Sequence, residues 1–371
     1  MVESAASSER DVHYMRRALE LAERGWGQTA PNPMVGAVVV RDGVVVGEGF
    51  HARYGEAHAE VNALRAAGDR ARGATLYVSL EPCAHVGKTP PCTGAIIGAG
   101  IARVVAAVRD PSPIARGGVE ALRAAGVDVD VGVERDAALE INASFFNAHA
   151  SDRPWVVLKL AISADDAIAD LTGMHRWITG PESRAEAHRM RANADAVAVG
   201  VGTVLADDPS LTVRDAPPAR VAPRRVIFDS RLRTPLAANV VRTSADVPTI
   251  FVASPGAPAD RRTALERAGV EVVPARDLHE ALTSLRNHGI RSLFCEGGAR
   301  LAGAMLADRV VDRLAIFQSQ MLIGPNRLGA FDFTPAGFAE RLPRLPVVTR
   351  RGFGDDELTI YALREVPCSP D

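Results

Sequence analysis

Apolar positions along this chain recur with two periods, and the period switches often. Between Glu9 and Arg24 the side chains Met15, Ala18, Leu19 and Ala22 fall at helical spacing, which predicts a helix with one buried face. The loop TAPNP follows, and VGAVVV and VVVGEGF then flank Arg41-Asp42-Gly43, a combination that predicts a hairpin. Residues 58–67 read as a second helix, TLYVSL (75–80) as a buried strand ending at Glu81-Pro82-Cys83, and 92–99 as a third helix. Strands at 102–108 and 127–131 continue the alternation. Such strand–helix–strand order predicts a mainly parallel sheet covered by helices on both faces.

At SDRPW (151–155) the pattern breaks, and a new strand, VVLKLAIS, starts at 156. This point divides the chain into predicted domains 1–150 and 151–371. The second half alternates again: a helix at 181–193, the strand DAVAVG (195–200), a long loop over 201–214, strands near 224–229 and 249–253, helices near 258–268 and 277–287, and SLFCEGG (292–298) running into a helix. The Pro/Ala/Arg stretch 215–225 reads as an exposed loop, and no internal repeat is visible.

Composition narrows the function. With 371 residues, 47% of them hydrophobic, the chain has enough apolar surface for two or three domains. Its 43 basic and 45 acidic residues leave a formal charge of −2, without the electrostatic footprint of a nucleic-acid binder. Four cysteines form no disulfide framework, the N-terminus MVESAASSERD has no apolar leader core, and no apolar run reaches membrane-spanning length. The expected setting is the cytoplasm, with no membrane partner. Among the 43 basic residues only Lys88 and Lys159 are lysines, and lysine differs from arginine as a compact charge with a readily shifted pKa.

The chemistry concentrates in HAEVNAL (58–64) and EPCAHVGKTPPC (81–92). A catalytic zinc takes three protein ligands and leaves a fourth position open, and His58, Cys83 and Cys92 make three. Glu60 is then free to move protons, the division of labour of a zinc deaminase. A closed structural site would want a fourth ligand and has no use for Glu60. The general deaminase pattern places two residues between its cysteines, whereas eight stand between Cys83 and Cys92. His58 and Cys92 both fall at predicted helix N-termini, whose positive ends favour anionic thiolates. The second half has no GxGxxG, because Gly200-Val201-Gly202-Thr203-Val204-Leu205 lacks the third glycine. CEGGARLAG (295–303) opens a helix whose free amides suit a phosphate, or its glycines serve tight turns and close packing.

PNPMVGAVVV, GEGFH, HAEVNAL, EPCAHVGKTPPC and VRDPSP, followed by LKLAIS, WITGP, VGVGTVLADDPSLTVR, FDS and EGGARLAG, resemble in order and spacing the bifunctional riboflavin-biosynthesis proteins, which join a pyrimidine deaminase to a reductase. The resemblance spans nearly the whole chain. It implies an α/β fold: an N-terminal cytidine-deaminase-like three-layer domain and a C-terminal dihydrofolate-reductase-like α/β domain. It further implies one zinc ion on His58, Cys83 and Cys92, Glu60 as proton shuttle, and Asn32 with Lys88 on the phosphorylated pyrimidine substrate. In the reductase half it implies NADPH contacts at Ala161, Trp177, Thr203, Asp207, Ser230 and Gly298, and substrate contacts at His175, Arg191, Leu211, Arg214 and Glu296. Lys159 and Asp165 are the candidates for proton transfer there. A homo-oligomer acting on small molecules, without nucleic acid, is the expected assembly.

The chain departs from the family pattern where SLDGK or SLDGR is usual: Asp166 replaces the glycine and Ala167 the basic residue. His175 stands where serine is expected, and Ser112 where asparagine is frequent. The added negative charge near a site for phosphorylated ligands raises the alternative that the C-terminal half is a non-catalytic scaffold, with Arg176 and His175 as the compensating cations otherwise. A zinc-stabilised nucleic-acid-binding protein is the rival of a different class, and Glu60 and the near-zero charge speak against it.

Overall fold

Residues 2–85, 90–175, 177–332 and 344–368 are described by the computed structural model. They form two units, Met1–Ala150 with Val366–Asp371, and Ser151–Glu365.

The first unit runs α1 (Val2–Ala22), β1 (Gly36–Arg41), β2 (Val44–Phe50), α2 (Ala59–Ala67), β3 (Thr75–Val78), α3 (Cys92–Gly98), β4 (Arg103–Ala106), α4 (Gly118–Ala124), β5 (Asp128–Val131), α5 (Arg135–Ile141) and α6 (Ala143–Ala150). Its sheet has the order β2-β1-β3-β4-β5. β3, β4 and β5 are parallel, but β1 is antiparallel to both β2 and β3. The sheet is therefore less parallel than the alternation alone predicts. The reversal is local: Asp42 and Gly43 both take positive φ, 52° and 77°, as a tight hairpin turn requires.

Successive side chains of a strand face opposite ways, and here each face meets its own helical layer. Ala37, Val39, Val104 and Ala106 pack with Ala63, Leu64, Ile96 and Leu122 from α2, α3 and α4. Val38, Val40 and Val105 pack with Met15, Leu19, Leu139 and Phe146 from α1, α5 and α6. The result is three layers. Gly49 on β2 lets α2 lie directly on the sheet, since a Cβ there would collide with Ala59 O and Ala63 N.

The second unit begins with β6 (Trp155–Ile162), β7 (Ala167–Asp170), α7 (Pro181–Ala192), β8 (Ala196–Gly200), α8 (Val201–Asp207), β9 (Arg224–Phe228), α9 (Asn239–Arg242), β10 (Thr249–Ala253) and α10 (Ala259–Arg267). It continues with β11 (Glu271–Pro274), α11 (Leu278–Asn287), β12 (Ser292–Cys295), α12 (Ala299–Ala307), β13 (Arg313–Gln318), β14 (Arg327–Gly329), β15 (Val347–Phe353) and β16 (Asp356–Ala362). Nine strands form one sheet in the order β11-β10-β9-β8-β12-β6-β13-β16-β15, and β7 with β14 makes a separate ribbon. The strands from β11 to β13 are parallel, and β16 and β15 complete the edge antiparallel. The segment 201–214, expected as loop throughout, starts as α8, because Gly200 stays extended and the chain turns helical at Val201. Ala196 and Ala198 join the core with Leu158, Leu293 and Met305, while Val197 and Val199 join the opposite one with Ile227 and Leu265. Among the described residues no helix is long and apolar enough to cross a membrane.

Candidate active sites

In the first unit His58 is the N-cap of α2, with extended backbone (φ −72°, ψ 162°), and Glu60 lies in the first helical turn behind it. Cys83 follows β3 outside any helix or strand, and Cys92 opens α3. One ligand atom from each of His58, Cys83 and Cys92 lies within 4.8 Å of the others. His58 Nδ1 is 3.3 Å from Cys92 Sγ and 3.7 Å from Cys83 Sγ, and the Cys92 amide donates to Cys83 Sγ at 3.4 Å. Both cysteines are buried. The Cys92 hydrogen bond lowers the pKa of Cys83, and the same contact with burial raises that of Cys92. One imidazole nitrogen and two sulfurs converging in a buried cluster are the donor set zinc prefers. The residues fit the ion.

Beside the triad lies a cavity of about 330 Å³, lined by Asn32, His51, Glu60, His85 and Asp110 among others. Glu60 is 3% exposed, and burial raises its pKa, so its carboxyl holds a proton more readily than a surface glutamate. Lys88 lies outside the described residues. Asn32 is on the cavity wall, with its Nδ2 3.3 Å from His51 Nε2; His51 Nδ1 reaches Ala57 O at 3.2 Å, and its ring stacks edge-on against His58 at 5.4 Å.

Sequence reasoning missed His51, Asp110 and Glu81. Glu81, 3% exposed, accepts the amides of Gly117 and Val119 on Oε1 (3.1 and 3.0 Å) and that of Asp110 on Oε2 (3.0 Å). It thereby caps α4 and places Asp110 at the cavity. Burial pushes the Asp110 carboxyl up to about 7, against the Ser112 amide, with Glu81, Cys83 and Glu60 adding to the rise. The motifs GEGFH and VRDPSP contained His51 and Asp110, but nothing in their spacing says that both face one cavity.

In the second unit the parallel strands β9, β8, β12, β6 and β13 end at one edge of the sheet, where the order turns outward on either side of β6. Open α/β sheets bind ligands at such strand ends. Thr203 and Gly298 meet there: a Cβ on Gly298 would sit 3.5 Å from Thr203 Oγ1. Gly298 is the extended N-cap of α12, and Ser230 follows the end of β9. Ala161 shares the face of β6 that carries Lys159, and Asp207 ends α8. Trp177 is 55% exposed under the Arg184 guanidinium, 5.0 Å from its ring. An extended glycine cap, a hydroxyl at a neighbouring strand end and an open indole suit a dinucleotide.

Arg191 on α7 binds Glu296 through two bonds, Nε to Oε1 at 2.8 Å and Nη2 to Oε2 at 2.5 Å, and donates from Nη1 to Thr212 O at 2.8 Å. A phosphate clamp of Arg191 with Arg214 is therefore lopsided: Arg191 is already engaged, and Arg214 is the exposed member. Burial opposes ionisation of Glu296, but Arg191 and Lys159 outweigh it and hold its pKa down. Burial lowers the pKa of Lys159, Glu296 partly restores it, and Lys159 Nζ lies 5.5 Å from the Phe317 ring. Leu211 is buried in a hydrophobic cluster, so its backbone and not its side chain is what a ligand can meet. His175 is exposed, with its amide donating to Asp170 at 3.0 Å.

Asp165 is committed to the backbone. Its carboxylate accepts from Ser163 Oγ (2.6 Å), Ile323 N (3.1 Å) and Gly324 N (2.9 Å), and these bonds hold its pKa well below the usual carboxylate range. Of the two proton-transfer candidates, Lys159 has the more suitable environment. Asp166 has φ 62°, which explains a glycine preference at this position and the tolerance of aspartate. Its residue is exposed, and Arg327, donating to Asp165 O at 3.0 Å, brings a cation to the same turn. The other cation weighed, Arg176, lies outside the described residues.

Fold and sites together define a two-unit enzyme, a zinc-type hydrolytic deaminase followed by a reductase of nucleotide-binding architecture. Residues 8–108 match the cytidine and deoxycytidylate deaminase zinc-binding region, and residues 154–345 match the RibD C-terminal domain. The riboflavin biosynthesis protein RibD of Aquifex aeolicus is 46% identical over 317 residues, 85% of this chain and 88% of its own. That of Escherichia coli is 40% identical over 335 residues, 86% of this chain and 90% of its own. A deaminase/reductase structure from Thermotoga maritima aligns with TM-score 0.81 at 35% identity, covering 96% of this chain and 99% of that one. The chain belongs to the RibD family: it is a bifunctional deaminase and reductase of riboflavin biosynthesis that uses zinc and NADPH.

Proposed function

We propose that the first unit deaminates the diaminohydroxyphosphoribosylaminopyrimidine for which the Thermotoga relative is named, and that the second reduces the resulting 5-amino-6-(5-phosphoribosylamino)uracil. The observation that carries the reading is Glu60, buried beside the His58–Cys83–Cys92 triad at the wall of a cavity. Zinc bound by the triad supplies Lewis acidity toward water. Glu60 takes the proton of the attacking water on its carboxylate and returns it to the departing amine, a role its raised pKa favours. Asn32, His51 and Asp110 are placed to orient the pyrimidine, and Lys88 to meet its phosphate.

In the second unit NADPH supplies the hydride that opens the ribose to a ribityl chain. Ala161, Trp177, Thr203, Asp207, Ser230 and Gly298 hold the cofactor, and His175, Leu211, Arg214 and the Arg191–Glu296 pair hold the substrate. Lys159 carries at Nζ the proton that the opening sugar needs, and Asp165 braces the neighbouring turn. The working assembly is a homo-oligomer, open to measurement by light scattering.

Two substitutions separate the halves. Glu60→Gln lowers ammonia release by about 10²–10⁴-fold with zinc content retained, and Lys159→Met lowers NADPH oxidation on the deaminated intermediate while ammonia release stays normal. Unchanged ammonia release in Glu60→Gln would remove the deaminase assignment of that residue. Normal NADPH oxidation in Lys159→Met would do the same for the reductase.

A further inference from the structure

The segment 208–215 follows α8 and carries Arg214, and side chains from elsewhere hold its backbone: Asn239 Nδ2 donates to Asp208 O at 3.3 Å and Arg225 Nη1 to Ser210 O at 3.4 Å. Asp208, Leu211 and Asp215 all have positive φ, at 40°, 52° and 52°. Aspartate tolerates that region, but for a bulky residue such as leucine it is an outlier that the surroundings must hold. Two side chains of α7, three residues apart and so on one helical face, hold the part of the segment that carries Arg214. Arg191 donates to Thr212 O at 2.8 Å, and the Arg214 amide donates to His188 Nδ1 at 3.0 Å. The backbone on either side of Val213 is thus pinned to one face of α7.

The hydrogen bonds also fix the state of the imidazole. Both neighbours of Nδ1, the Arg214 amide and Arg191 Nη1 at 3.4 Å, can only donate, so Nδ1 is unprotonated and the ring proton sits on Nε2. His188 is 7% exposed. Burial lowers the pKa of His188, Arg191 and Arg214 lower it further, and Glu296 and Asp215 act in the opposite sense.

We infer that His188 is a positioning residue for the reductase reaction, acting in its neutral form by holding the backbone amide of Arg214 so that the Arg214 side chain meets the substrate phosphate. The inference rests on the substrate-binding reading of Arg214. A protonated ring has no lone pair for the amide and sets a third cation beside Arg191 and Arg214. Substrate capture therefore falls as pH drops through the lowered pKa of His188, while NADPH binding, to whose proposed residues His188 makes no hydrogen bond, is unaffected.

The test measures steady-state NADPH oxidation on the phosphorylated, deaminated pyrimidine across pH, in the full zinc-loaded chain, with ammonia release as the internal control. His188→Leu is expected to raise KM for the pyrimidine about tenfold, the loss of one buried hydrogen bond, with KM for NADPH unchanged. His188→Asn, whose Oδ1 can occupy the Nδ1 position, is expected to restore most of the affinity and to remove the acid limb that His188 contributes to kcat/KM. His188→Gln, with its carbonyl elsewhere, does not rescue. Arg214→Gln tests the premise separately: if it leaves KM for the pyrimidine unchanged, the reading of Arg214 fails. If Arg214→Gln weakens binding but the His188 variants do not, the positioning role is overturned. Should His188→Leu lose NADPH affinity as well, the contrast of Asn with Gln decides, and equal behaviour of those two overturns the inference.

Discussion

One side chain that shapes the deaminase cavity lies outside the His58–Cys83–Cys92 cluster. Glu81 accepts three backbone amides, two from the start of α4 and one from Asp110, and it does so where no water competes. Charged acceptors of this kind are worth more than neutral ones, and an amide left without its partner costs more again. Glu81→Gln turns one acceptor oxygen into a donor that faces another donor. It is expected to destabilise the first unit by about 2–3 kcal/mol and to weaken deamination, measured by urea unfolding and ammonia release. An unchanged unfolding midpoint would show that the carboxylate is dispensable. In the second unit the same scale explains the departures from the family pattern. Asp166 takes the left-handed conformation at an exposed position, where its charge is screened, and Arg327 supplies a cation on that turn.

Elements carry these residues into register. The two short helices that begin at the metal ligands are set on the sheet at different points, and α2 is the tighter of the two. It rests on β2 without intervening side chains because Gly47 and Gly49 leave no Cβ in the way. His58 caps that helix and Glu60 lies in its first turn, so a shift of α2 moves the proposed zinc ligand and the proposed proton shuttle together. Gly49→Ala is expected to cost about 1–3 kcal/mol through overpacking and to reduce zinc retention measured by metal analysis. Full zinc occupancy with normal ammonia release would mean that α2 tolerates the shift. The helix and strand positions were largely legible, since periodicity is a local property of the sequence. Not read from the pattern were α4 to α6, β7, α8, α9, β11 and β13 to β16. α8 is a short helix in a segment where Gly202 and Pro209 signal loop. β13 to β16 lie beyond the last motif and owe their place to pairing with strands far away in sequence, such as β13 with β6.

At the scale of the whole molecule, each site is built from the residues of a single unit. Removing zinc with a chelator is therefore expected to abolish ammonia release while NADPH oxidation on the deaminated intermediate continues, and restoring zinc is expected to bring the first activity back. Parallel loss of both activities would show that the second site depends on the metal of the first. The sequence by itself determined the chemistry that is local: His58, Glu60, Cys83 and Cys92, the proposed zinc ligands and proton shuttle, lie on two short segments with helix starts at His58 and Cys92. The break at SDRPW falls where the first unit gives way to the second, but nothing in either period says that Val366–Asp371 belongs with the first. Tertiary structure alone decided which distant groups complete each site. Glu81 on the amides of α4, Asp110 and His51 on one cavity, Arg191 on Glu296, and His188 on the backbone of Arg214 are pairings between segments that the periodicity treats as independent. They form because buried polar groups must find partners, and only the packed sheet fixes which partners are within reach.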